Sequence, residues 1–153
     1  MKRIGHLYEK MYDIALIKLA IHKAAQGKTQ KYYIRKVLAR IDEYALRIQD
    51  MLVNETVSLS PNRQIEIYDR SCSKTRTITV PKFFPDQILH WVLMLVIEPI
   101  IQKGMYRYSC GSVPGRGGME AKKFVERALK DEKVRYVAKL DISKFFNSVK
   151  PKY

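Results

Sequence analysis

The chain has 153 residues, enough for one domain with a real core. Twenty-nine Lys and Arg stand against fifteen Asp and Glu, a net charge of +14. It is spread evenly, +5 over residues 1–55, +4 over 56–118 and +5 over 119–153, so the expected partner is a polyanion, nucleic acid before an acidic membrane.

Residues 6–26 have helical spacing, with Leu7, Met11, Ile14, Ala15 and Leu19 on one face and a stop at Gly27-Lys28. Residues 31–53 repeat the pattern through Ile34, Leu38, Ile41, Ala45, Ile48 and Leu52. Their opposite face carries Arg35, Lys36, Arg40, Asp42, Glu43 and Arg47. A short polar link between two helices predicts a helical hairpin. The opening MKRIGHLYEKMYD has no continuous apolar run, so no signal peptide is expected in it.

The period changes after Val57. Gln64 to Tyr68 and Arg76 to Val80 alternate as strands, with a polar turn from Asp69 to Lys74 between them. This predicts an antiparallel hairpin with Arg70, Lys74 and Arg76 near its tip, where phosphate contact and plain solvation are both open readings. Pro85-Asp86 fits a helix start. The helix over 86–103 is apolar nearly all round, so it is expected at the centre of the core, bent or ended early by Pro99. The apolar stretch Ile88 to Ile101 is too short to span a bilayer.

Residues 109–118, SCGSVPGRGG, form a glycine-rich loop suited to close approach to a phosphate backbone. It lacks the spacing of a Walker A or dinucleotide loop. Residues 119–131 predict a charged helix with Ala121, Phe124, Val125 and Ala128 inward. Residues 134–141 predict a buried central strand. Tyr106 and Tyr108 flank Arg107, an arrangement that suits either base stacking or packing on the core helix. His90 beside Trp91 is expected buried and hydrogen-bonded, and no histidine pairing has metal spacing. Cys72 and Cys110 have no zinc spacing and are expected as reduced cytosolic thiols.

Asp141 ends the predicted strand, where an acid must be solvated, paired or bound to a cation. Capping of the turn Ile142 to Asn147 and metal binding are both open to it.

Four stretches together resemble the front half of a bacterial reverse transcriptase of the group II intron, retron and diversity-generating kind. IGHLYEKMYD is similar to the family's leading helix. KTRTITVPKFFPDQILHWVLMLVIEPI resembles the first fingers motif, YSCGSVPGRGGMEA the second, and YVAKLDISKFFNSV the first palm motif. They occur in order over residues 4 to 149.

The resemblance implies an α+β fold: an N-terminal helical hairpin (1–55), a fingers β-hairpin with its core helix (56–133), and the truncated start of a palm sheet (134–153). It implies that Asp141 is a catalytic, magnesium-binding aspartate and that Ile142 offers a main-chain carbonyl to the metal. Phe146 would pack under the incoming deoxynucleotide, Arg76 and Lys74 would meet its triphosphate, and Gly115, Arg116 and Gly117 would line the template.

The family's other two aspartates lie in a later Tyr/Phe-x-Asp-Asp turn, and these 153 residues contain no such turn. The expectation is therefore the N-terminal part of an RNA-directed DNA polymerase, inactive alone. Its expected partners are RNA template, DNA primer and dNTP, together with a cognate structured RNA or a separate chain carrying the rest of the palm. Magnesium is expected only in the complete, cytoplasmic enzyme, with no membrane partner. The alternative is a catalytically inactive basic RNA-binding fragment or adaptor, and a third reading is the product of a decayed gene.

Overall fold

Asp13 sets the phase of the first helical layer. Its carboxylate accepts from Ala15 N–H at 2.7 Å and Leu16 N–H at 3.4 Å, so it caps a new helix instead of continuing one. The computed structural model describes residues 3–61, 63–71, 73–143, 145 and 149. The predicted 6–26 helix is thus two pieces, α1 (Tyr8–Met11) and α2 (Ile14–Ala25). The restart rotates the apolar face. Ile17, Ala20, Ile21, Ala24 and Ala25 are buried, while Ala15 and Leu19, expected inside, are exposed.

The second predicted helix also divides, at Arg40, into α3 (Tyr32–Ala39) and α4 (Ile41–Val53). Here the predicted face holds: Ile34, Ala45, Ile48 and Leu52 are buried with Val37, and the charged face is exposed. Tyr8 Oη donates to the Leu52 carbonyl at 2.7 Å and Gln49 Nε2 to the Tyr12 carbonyl at 2.8 Å, fastening α1 and its junction to α4.

Strands β1 (Arg63–Asp69) and β2 (Lys74–Val80) pair antiparallel, with Arg63 opposite Val80 and Asp69 opposite Lys74. The hairpin has almost no buried face. Only Ile65, Asp69 and Val80 are half-buried along it. Two strands alone are marginal in water, so the arm depends on its attachment.

That attachment is polar. A wide turn, Phe83–Gln87, leads into α5 (Ile88–Lys103). Asp86, 2 % exposed, accepts from Ser60 N–H at 3.1 Å and from Lys82 N–H at 3.2 Å. One buried carboxylate thus binds the chain shortly before β1 and shortly after β2. Gln87 adds a second tie, donating to the Pro81 carbonyl at 2.8 Å and accepting from Lys28 Nζ at 2.7 Å.

The centre of the core is α2, which packs against both α4 and α5. This corrects the expectation for the 86–103 helix: α5 buries Ile88, Leu89, Val92 and Val96 on one side and exposes Leu93, Met94 and Ile101 on the other. Together with its leading turn it is long and apolar enough to cross a membrane by length and composition alone. Pro99 does not end it. The proline removes one N–H donor, and the helix runs on to Lys103 beyond buried Val96.

The chain divides at Gly104/Met105 into two units. In the second, Val113-Pro114-Gly115-Arg116 makes a tight turn closed by Arg116 N–H to the Val113 carbonyl at 3.0 Å. Proline precedes a glycine at φ +73°, the type II pattern. Helix α6 (Gly118–Leu129) follows, with Ala121 and Phe124 half-buried and Val125 and Ala128 exposed, against expectation. The strand expected over 134–141 does not form. Among the described residues it has no ladder partner, and Tyr136 and Leu140 are each 92 % exposed. A two-sided apolar strand needs neighbours on both edges, and the described residues offer none. The chain is α+β, as expected, through its helices and its single described two-stranded sheet.

Two stability outcomes follow from these ties. Asp86→Ala leaves two part-buried N–H groups without their acceptor and is expected to cost about 1–3 kcal/mol, with Asp86→Asn costing less because one acceptor remains. Urea unfolding followed by far-UV circular dichroism measures both, and an Asp86→Ala curve superimposed on the parent's would disprove the tie. Asp13→Ala is expected to cost about 1 kcal/mol, the usual worth of an N-cap.

Candidate nucleic-acid interface

Lys74 and Arg76 stand two residues apart on β2, hence on one face of the hairpin. Both are exposed. Arg76 Nε lies 3.2 Å from Asp69 Oδ2, so the acid opposite Lys74 orients the arginine. Asp69 also accepts from Ser71 N–H and Oγ at 3.0 and 2.6 Å, which closes the turn. The two residues expected to meet a triphosphate are therefore brought together at the tip end of an exposed arm.

Gly115, Arg116 and Gly117 form the exposed loop before α6. Only Gly115 needs glycine for its backbone angles, since Gly117 has an extended φ of −154°. Arg116 Nη1 turns back to the Arg107 and Ser109 carbonyls at 2.9 and 3.4 Å, bracing the loop from within. Tyr108 packs edge-on to Tyr106 at 5.5 Å and to Phe124 of α6 at 5.0 Å. Packing thus occupies Tyr108, on α6 and not on the core helix, and both tyrosines stay half or more exposed.

Asp141 and Ile142 are exposed and lie at no strand end. Ile142 N–H donates to Asp141 Oδ1 at 2.9 Å, a bond between neighbours. Phe146 lies outside the described residues, as does Cys72. Among the described residues no three His, Cys, Asp or Glu side chains gather as metal ligands. A lone carboxylate does not fit a two-magnesium centre.

His90, expected buried, is exposed on a groove of about 490 Å³ with Tyr8, Leu52 and Leu93. Cys110 is a half-buried free thiol. Away from these groups, the Glu9 carboxyl is held below the usual carboxylate range, by a backbone hydrogen bond first and by His6 second.

One further cavity is built from residues that no motif joins. A cleft of about 710 Å³ lies among α3, α4 and the base of the hairpin. Lys28, Lys31, Lys36, Arg47, Arg63 and Lys82 line it, and no acid does. Four aromatic rings lie between these cations. Tyr33 stands edge-on to Phe83 at 6.2 Å, and Tyr44 edge-on to Phe84 at 5.1 Å. The Arg47 guanidinium covers the Phe84 ring at 4.7 Å. The available signal was composition: 1–55 carries +5, and 81–84 places a lysine between proline and two phenylalanines.

No protein-family model matches the chain, and no curated protein matches it.

Proposed function

We propose that the chain is the fingers region and first palm segment of a cytoplasmic RNA-directed DNA polymerase, holding RNA template and incoming dNTP. The observation that carries this reading is the hairpin. Lys74 and Arg76 share one face of an arm that contributes almost nothing to the core, next to a helix of the kind the resemblance requires. The braced glycine loop at 115–117, which lies between the hairpin and Asp141 in sequence, supports it.

Asp141 is then one carboxylate of a magnesium site whose other acids lie outside the described residues, further along the same reading frame or on a second chain. Its exposure leaves it accessible to such a site. The unpaired 134–141 segment is the strand that a completed palm sheet would flank on both edges. Alone, the chain is expected to bind RNA and to extend no primer.

A second reading, an RNA-binding module without chemistry, is favoured by the acid-free cleft of the first unit. The two readings diverge on Asp141. In the polymerase reading, Asp141→Asn in the chain supplied with its palm lowers RNA-templated primer extension about a thousandfold, the scale of losing one group that holds transition-state charge. Salt-dependent RNA affinity is unchanged by the same substitution, because backbone phosphates dominate it. Equal extension by parent and variant would remove Asp141 from catalysis. RNA binding with no extension from any completed parent would leave the binding module.

A further inference from the structure

We propose that the cleft among α3, α4 and the hairpin base is a binding site for single-stranded polynucleotide. The inference rests on the cleft alone and does not need the polymerase reading.

Three features of the cleft specify this ligand. The first is charge. Six cations from four separate segments converge on one cavity, and its lining holds no carboxylate. Among the described residues none of the six is in an ion pair; Lys28 reaches only the neutral Gln87. Converging like charges repel, so the arrangement is favourable only when a polyanion or counterions enter. Elsewhere in the same unit, Lys18 of α2 and Arg40 between α3 and α4 do pair, with Asp42 and Glu43 of α4. The cleft is therefore a local departure from how this surface handles charge.

The second feature is aromatic. Tyr33 is 51 % exposed, and its ring is propped edge-on by buried Phe83. A propped, half-open ring loses little freedom when a base stacks on it. The Arg47 guanidinium, 4.7 Å from the Phe84 ring centre, adds a second planar group on an exposed residue. Rings set among cations are the pattern that binds bases and backbone of a single strand together.

The third feature is exclusion. The base pairs of a duplex hide their faces, so a duplex would use the cations and leave Tyr33 idle. An acidic polypeptide without aromatic residues, such as polyglutamate, would use the cations and give Tyr33 no flat ring to meet. Of these three ligands the unpaired strand uses both sets.

The test is fluorescence anisotropy with the full chain and labelled oligouridylate or oligothymidylate of about a dozen nucleotides, within the span such grooves cover. With all six cations engaged, the log–log salt slope is expected near −4, about −0.7 per phosphate. Lys36→Ala with Arg63→Ala removes two exposed, unpaired cations and is expected to make the slope shallower by about 1.4. Tyr33→Leu is expected to weaken binding about tenfold and leave the slope unchanged, which separates stacking from charge. Circular dichroism melts that match the parent establish that each variant is folded; Lys36→Ala with Lys82→Ala replaces any that is not.

The ratio of uridylate to thymidylate affinity identifies RNA or DNA as the ligand. An unchanged slope in both double variants would overturn the site. So would tighter binding of a duplex of equal length, or competition by polyglutamate as strong as by oligonucleotide. Asp141→Asn leaves this binding intact, so failure of the cleft and failure of the polymerase reading show up in different experiments.

Discussion

The first unit turns on one buried carboxylate. Asp86 is cut off from water and satisfied by two backbone N–H groups that lie on either side of the hairpin in sequence. A buried charge without partners is among the costliest things a small fold can carry, and this one has partners on both flanks. The effect is geometric. The hairpin has no core of its own, so its position relative to the helices is set by the few bonds at its base. Gln87 repeats the device with Pro81 and with Lys28, drawing the α2–α3 link to the same point. These ties act together with the Tyr33–Phe83 and Tyr44–Phe84 ring contacts to hold the wall of the cleft that carries Arg63 and Lys82 opposite α3 and α4.

This explains how a chain so basic tolerates a concentration of cations in one place. The helices that form the cleft are fixed by their other faces, where Ile34, Ala45 and Ile48 are buried against the core. Hydrophobic burial supplies the stability, of order 1.5–3 kcal/mol for each large side chain. The repulsion among the cleft cations is a smaller term, screened by salt over about 8–10 Å. The core can therefore hold charges together that would separate if free.

Periodicity carried much of the fold into view, and its failures are specific. The hairpin was legible because period two breaks sharply from period 3.6, and its register needed no information from elsewhere. The face of α3 and α4 was legible for the same reason. The face of α2 was not, because a single capping aspartate resets the phase and a continuous helix was assumed through it. The α5 helix misled in the opposite way: its sequence is apolar all round, yet only α2, α1 and its own leading turn cover it. Uniform apolarity states that a surface should be covered and does not say by what. The 134–141 segment is the same case in a strand, apolar on both sides and flanked by nothing described.

The candidate sites divide along a similar line. Arrangements that need only near neighbours form locally: Lys74 and Arg76 share one face of β2, and Arg116 braces the loop at Gly115. Asp141 requires partners that spacing within this chain cannot supply, and the described residues bring it none. The cleft needs distant partners too, but here the fold provides them. Lys28 and Arg63 are thirty-five residues apart, and Lys82 nineteen more, with no shared motif to join them. What brings them to one cavity is the pair of hydrogen bonds at Asp86, a residue that reads in sequence as nothing more than a helix start. A cationic cleft assembled by a buried structural acid is invisible to motif reading, because neither the acid nor any single cation is unusual where it stands.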